Sequence, residues 1–497
     1  MKRKKFLYNV WLNITLLGVL ASCEGYLDVN KNPNYPDESH VTMGALLPSA
    51  FIGSASVMGY QYQLYGGIWA QHYTQNPTSS QYIKLTNYAM TSSSDLRLWR
   101  ILYADALPDF DLVLKKSEEE KAWNYWVIAK IMTAYCYHIL TDSYGDIPFN
   151  DALKGTNSKF DDSKTVVYPG LIQMLDDAMK KESEAVAAPK GDLSLEDYIF
   201  AADISKWMEF ARTLKLKLLM RDFEANKTEI QAMLVAGGLL TNTDATVHCF
   251  EDLVNKSSPF YENDRRQLNT INNVRACTTL FNYMNAYSDP RIADFFEKAA
   301  TPLAGGGEYR AIPYGSRDNN TYSIKTTSLA KIGAVDPVYY LSAAETEYML
   351  AECYARLDDR VNARLHYDKA VILSFQRWSH DATTFISPGG AYAFIDTGTD
   401  AMLKCILTQK WIASTRCQAW DTWCDINRTG IPAVGTLTTN DPNYELGTLA
   451  YGEASALAKG QYPHRFIYSK ESLDYNPLGP DPEKIPAITD PLWWHKQ

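Results

Sequence analysis

The stretch that decides the fold begins Leu341-Ser342-Ala343-Ala344-Glu345-Thr346-Glu347-Tyr348-Met349-Leu350-Ala351-Glu352-Cys353-Tyr354-Ala355-Arg356-Leu357. A polar turn around Asp358 and Asp359 leads into Val361-Asn362-Ala363-Arg364-Leu365-His366-Tyr367-Asp368-Lys369-Ala370-Val371, which continues to Phe375. Leu350, Ala351 and Tyr354 before the turn, and Ala363, Tyr367 and Ala370 after it, recur at helical spacing. The alanines let two antiparallel helices approach closely, and Leu350 and the tyrosines fill the gaps beside them. Such a pair cannot bury its apolar face alone, so the pattern requires stacked neighbours. It carries no chemistry. The expectation is a helical scaffold whose function lies in what it supports.

This alternation of small and large residues is that of a tetratricopeptide unit, with two departures. Glu347 stands where an aromatic residue is usual, and Phe375 where a proline usually closes the unit. Working outward, apolar periodicity predicts helices over 43–75, 94–116, Trp123 to about Leu140, 168–187, 205–223 and 401–427. Trp207, Phe210, Leu214 and Leu218 share one helical face, as do Tyr62, Tyr65, Trp69 and Tyr73. Gly145 with Pro148, and Gly430 with Pro432, are stop signals. Between about 240 and 340 the periodicity fades into Asn, Thr, Gly, Pro and Tyr, including Gly305-Gly306-Gly307. The fold class expected is mainly α: tetratricopeptide-like repeats within about 94–240 and 341–427, with a large irregular, loop-rich insertion between them.

Length alone, 497 residues, admits about three domains. The formal net charge of −10 argues against a nucleic-acid binder, which needs clustered Lys and Arg. Tyrosine is favoured, with 33 Tyr against 17 Phe and 12 Trp; phenol and indole suit half-wet surfaces where one end packs and the other hydrogen-bonds.

Residues 1–22 read as a leader. Lys2 to Lys5 form a basic start, Phe6 to Leu20 a mostly apolar run, and Leu20-Ala21-Ser22-Cys23 has the pattern of a bacterial lipobox. Cys23 is thereby expected to be the acylated first residue of the mature chain, a palmitate-type anchor to the membrane. No later segment is expected to span a membrane. The remaining seven cysteines are scattered and read as small buried hydrophobes, with Cys417 and Cys424 on one predicted helix. Asp28, Asn30 and Asn32 alternate as in a calcium loop, but Pro33 stands where glycine is needed and no glutamate comes at the twelfth position. A capped turn is the expectation there, with no metal and no cofactor.

No metalloprotease, nucleophile-elbow, P-loop or dinucleotide signature occurs. The polar loop from Gln75 to Ser94 and the irregular middle are where a rigid scaffold places binding residues. An aromatic stripe beside amide, guanidinium or carboxylate groups suits a half-wet binding cleft. On that ground the candidate ligand-binding residues are Trp69, Tyr73, Tyr82, Trp99, Arg265 and Tyr309.

Several short stretches carry a resemblance. The lipobox is succeeded by Leu27-Asp28-x-Asn30-x-Asn32-Pro33, then by Leu140-Thr141-Asp142-x-Tyr144-Gly145-Asp146-x-Pro148 and Phe210-Ala211-x-x-Leu214-Lys215-Leu216. Asp289-Pro290-Arg291, Ala344-Glu345 to Ala351-Glu352, Gln409-Lys410-Trp411, Arg428-Thr429-Gly430-x-Pro432 and Trp493-Trp494 come after them. In this order, over the whole mature chain, they resemble the SusD/RagB family of outer-membrane lipoproteins, in its SusD-like nutrient-binding branch. The resemblance implies one α-helical domain over 23–497, built on about four tetratricopeptide-like units. It implies a surface lid over a TonB-dependent, SusC-like transporter that captures nutrient oligomers, often glycans, without catalysis. The repeats would support the site and face the barrel, and the irregular region at 240–340 would hold the nutrient. A peptide-loading lid and a lipid-anchored hydrolase are the alternative readings.

Overall fold

The computed structural model describes residues 41–94, 97–154, 157–268, 273–316 and 321–496. The leader, Cys23 and the Asp28-Asn30-Asn32 turn lie outside the described residues. Helices α1 (Met43–Val57) and α2 (Gln63–Trp69) are joined through a π-helical turn, Met58–Tyr62. Strand β1 (Tyr73–Gln75) comes next, so the helix expected over 43–75 ends six residues early. Then come α3 (Leu107–Glu120), α4 (Trp123–Tyr144), α5 (Tyr168–Lys180) and α6 (Ile204–Leu219). The irregular middle contributes short strands β2 (Ala245–Val247) and β3 (Val274–Ala276). After β4 (Val338–Leu341) come α7 (Ala343–Arg356), α8 (Arg360–Gln376), α9 (Thr399–Ala413) and α10 (Ala419–Thr429). Antiparallel pairing of β1 with β3, and of β2 with β4, stitches the irregular middle to the helices.

The stretch from Leu341 to Phe375 forms the α7–α8 hairpin. The Ser342 side chain accepts from the Glu345 amide at 3.1 Å, and Asp359 accepts from the Asn362 amide at 3.1 Å. Each satisfies one of the amide donors left open at a helix start. Asp358, in the left-handed region at φ 56°, reverses the chain between the two helices. Ala351, Ala363, Ala370 and Tyr367 are buried, and the Tyr367 hydroxyl donates to the Tyr392 carbonyl at 2.8 Å.

Two expectations are corrected. The helix expected over 401–427 is two helices, broken at 414–418 with Arg416 at φ 66°. Arg416 is held there by Asp336 and the Asp294 carbonyl, each at 2.6 Å, and Cys417 sits in the break rather than on a helix with Cys424. Met43–Trp69 is long and apolar enough to cross a membrane by length and composition, contrary to the expectation for the body. Its side chains form part of a continuous apolar core reaching from Met43 to Trp494. At Gly66, α2 lies directly against α10; a Cβ there would collide with the Trp420 amide nitrogen.

Ion pairs fill the interior between α4, α6, α7, α9 and α10. Lys217 meets Asp421 at 2.6 Å and Glu345 at 2.7 Å, and Lys410 meets Asp425 at 2.7 Å. Arg428 grips Glu352 through two nitrogens, at 2.6 and 2.7 Å, and touches Asp425 at 2.8 Å. Arg221 holds Asp142 at 2.6 Å and lies 4.4 Å from the Trp494 ring centre. Buried charges are tolerated only when paired and hydrogen-bonded in this way.

Candidate functional site

A cavity of about 440 Å³ opens where the π-helical turn meets the loop after β1. Tyr60, Gln61, Leu64 and Tyr65 form one wall; Ser80 to Leu85, Met90, Ser94 and Arg97 form the other. Its size is in the range of small-ligand sites. A π turn carries an extra residue relative to an α turn and is found disproportionately at functional sites. Here it brings Tyr60 and Gln61 to the cavity while Tyr62 stays in the core against Trp420 and Phe466.

Hydrogen bonds make the cavity wall rigid. The Tyr60 and Tyr82 hydroxyls lie 3.2 Å apart, and Tyr82 donates to Asp264 at 2.7 Å. Arg265 pairs with Asp264 and donates to the Ala330 carbonyl at 3.0 Å. Burial, then the neighbouring Tyr60 and Asp264, holds the Tyr82 phenol far above its ordinary range, so it remains a donor. Burial likewise raises the Asp264 carboxyl, against the opposing pull of Arg265. The loop itself is pinned by Gln75, which bonds both the Tyr82 amide and the Ser79 carbonyl, and by Ser79 donating to Asn273 at 2.6 Å.

One group in the wall is unsatisfied. Gln61 is 3% exposed and its Oε1 has no hydrogen-bond partner among the described residues. A buried amide oxygen in that state costs about 1–3 kcal/mol unless a ligand or water supplies a donor. Beside it, the Arg97 guanidinium lies 5.8 Å from the Tyr60 ring centre. Aromatic rings, amide and hydroxyl side chains and a cation lining one cavity can grip a polyhydroxylated ligand.

A larger cavity, about 590 Å³, lies beyond the end of α10 between Arg356, Lys404, Pro432, Glu445 and Lys496. Most of its charged groups are paired, Lys404 with Glu445 across the opening and Arg356 and Arg428 with Glu352 outside the lining. Among the described residues no group of His, Cys, Asp and Glu is arranged to hold a metal ion.

Of the residues expected at the site, Tyr82 lines the cavity, and Arg265 stands one layer below it through Asp264. Trp69, at 1% exposure, packs between Trp423 and Phe466; its indole donates to the Leu85 carbonyl at 3.1 Å and so props the loop from behind. Tyr73 is buried in β1 opposite Ala276. Trp99 is buried against Phe160, Tyr103 and Tyr144. Tyr309 is half-buried at the edge of the core. Trp69, Tyr73, Trp99 and Tyr309 therefore do not line this cavity. Tyr60, Gln61, Lys84 and Arg97 do, and sequence reasoning did not select them. The glutamines beside the aromatic stripe were the available signal.

Residues 34–448 match the SusD-like family described as starch-binding and associating with the outer membrane. The chain belongs to that family. Solved SusD-like structures share its fold. A SusD homolog from Bacteroides uniformis is 21% identical, with a TM-score of 0.70 over 92% of this chain and 99% of that one. A SusD-like protein from Bacteroides thetaiotaomicron is 21% identical, with a TM-score of 0.73 over the same shares. A structure described as a chitin-binding protein is 21% identical, with a TM-score of 0.68 over 92% of this chain and 100% of that one. No curated protein matches the sequence.

Proposed function

We propose that this SusD-like chain captures a glycan in the cavity between the π turn and the 75–94 loop and passes it to a TonB-dependent, SusC-like outer-membrane transporter. The observation that carries the reading is the cavity lined by Tyr60, Gln61, Tyr82, Lys84 and Arg97, in which Gln61 is a buried amide whose Oε1 has no hydrogen-bond partner among the described residues. The description of the family as starch-binding, and of one structural neighbour as chitin-binding, supports a carbohydrate. In this reading residues 1–22 are removed, Cys23 is acylated, and 23–497 works as one lipid-anchored domain at the cell surface. The protein binds and does not catalyse.

The test is a thermal-shift screen of starch- and chitin-derived oligosaccharides against oligopeptides. A true ligand at 100 times its Kd adds about 2.7 kcal/mol of stability. Stabilisation by oligosaccharides, weakened in Gln61→Leu, is expected; stabilisation by peptides alone would replace the glycan with a peptide. Loss of palmitate labelling in Cys23→Ala, and a transporter chain co-purifying from membranes, are the expected results for the anchor and the partner.

A further inference from the structure

Resting on the reading of this cavity as a glycan site, we propose that Gln75, which does not itself line the cavity, is the residue that positions its wall. Gln75 is 5% exposed and ends β1, opposite Val274 of β3. Its carboxamide spans the segment Ser79–Tyr82: Oε1 accepts from the Tyr82 amide, and Nε2 donates to the Ser79 carbonyl. Between those two points lie Ser80 and Gln81, which line the cavity together with Tyr82. One buried side chain thus fixes both ends of the stretch that a ligand meets. A carboxamide suits this task because it carries a donor and an acceptor in one plane, as a peptide unit does. Its orientation is set by its partners, since the Tyr82 N–H calls for an acceptor and the Ser79 carbonyl for a donor.

The clamp stands on the framework. β1 and β3 pair from Tyr73 with Ala276 to Gln75 with Val274. Arg275 of β3 is buried and donates to the Thr327 carbonyl at 3.0 Å. The Asn76 amide donates to the Asn273 carbonyl at 2.9 Å, and the Ser79 hydroxyl donates to the Asn273 side chain at 2.6 Å. Ser80 and Gln81, by contrast, are exposed. Water competes for their side chains, so the backbone on either side sets where they point. A wall that wanders is bound more weakly, in proportion to the time it spends in the competent form. Gln75 raises that fraction without touching the ligand.

The test uses the mature protein with maltohexaose and chitohexaose as probes, and reads hydrogen exchange over residues 79–86 together with affinity. Gln75→Leu removes both bonds. Exchange over that segment is expected to quicken about tenfold and affinity to fall about tenfold, with exchange in α4 and α7 unchanged. Gln75→Glu separates a clamp from mere filling of space. Ionised, the new carboxylate accepts from the Tyr82 amide but repels the Ser79 carbonyl; protonated, it again offers a donor and an acceptor. Burial raises such a carboxyl, so exchange and affinity, each taken as a ratio to the wild type at the same pH, are expected to recover between about pH 7 and about pH 5. Unchanged exchange in Gln75→Leu, or no recovery in Gln75→Glu on acidification, would overturn the proposal. Faster exchange with unchanged affinity would overturn it as well, while leaving the glycan reading intact. If neither sugar binds the wild type, the glycan reading falls, and the positioning role of Gln75 in binding falls with it.

Discussion

Between α4, α6, α7, α9 and α10, the buried carboxylates meet cations: Asp142 with Arg221, Glu345 with Lys217, Glu352 with Arg428, Asp421 with Lys217, and Asp425 with Lys410. Beside Tyr60 the opposite choice is made. There a buried amide oxygen has no partner, and two cations line a cavity with no carboxylate among its described lining residues. The difference separates framework from function. A network of paired charges fixes how helices pack and commits most of its capacity internally, although the Arg428 Nε in it has no hydrogen-bond partner among the described residues. An open one costs stability and keeps hydrogen-bonding capacity for something that arrives later.

The comparison is broken most forcefully by removing one partner from the closed side. Arg428→Ala removes the two-nitrogen grip on Glu352, leaving it Arg356 alone and leaving Asp425 to Lys410, and is expected to cost about 3 kcal/mol in chemical denaturation. A loss below about 1 kcal/mol would mean that water reaches the network and that it is no framework.

Acid attacks the same network next. Burial pushes the Glu352 carboxyl up, but Arg428 and Arg356 outweigh it and hold it at about 2. A depressed carboxylate contributes stability above its unfolded value and loses it as pH falls through the folded one. Glu352 alone therefore removes about 3 kcal/mol between roughly pH 4.5 and pH 2. Asp142 and Asp425 are also depressed, against the opposing effect of burial, by Arg221 and by Lys410 respectively, and add to that loss. Asp421 moves the other way: burial and Glu345 raise it despite Lys217, so protonating it as pH falls relieves a cost instead of adding one. Stability measured against pH should hold down to about pH 4.5 and fall steeply below it.

The smallest effect sharpens the contrast by moving the same chemistry to the surface. Lys154 meets Asp151 at 2.8 Å, with both side chains more than half exposed. Lys154→Ala is expected to change stability by less than about 0.5 kcal/mol, as read from the denaturation midpoint.

Legibility in the sequence divides along the same line. Asp142, Glu345, Glu352, Lys410 and Arg428, which carried the family resemblance, are members of the paired interior. The α7–α8 hairpin was legible because its alanines, turn and caps are local signals. The cavity was not. A π turn has no residue signature, yet its extra residue shifts the phase of the helix, so an α-helical reading places Tyr62, Tyr65, Trp69 and Tyr73 on one face and overlooks Tyr60 and Gln61. The break between α9 and α10 was hidden for a similar reason. It contains neither Gly nor Pro, and Arg416 is held in its left-handed conformation by Asp336 and the Asp294 carbonyl, which are distant in sequence. Trp69, Tyr73 and Trp99 have the composition of a sugar platform, but only packing decides whether a ring faces a core or a cleft.

Gln61 is the residue on which the cavity's role depends most. Measuring oligosaccharide affinity and melting temperature together on Gln61→Leu tests that role most directly. Replacing a buried, unpartnered amide with an apolar group of similar size should leave the fold as stable or more so. The same change should cost about tenfold in affinity by removing the amide from the cavity wall. Unchanged affinity, or a loss of affinity explained by a matching loss of stability, would contradict the claim that this cavity is where the ligand is held.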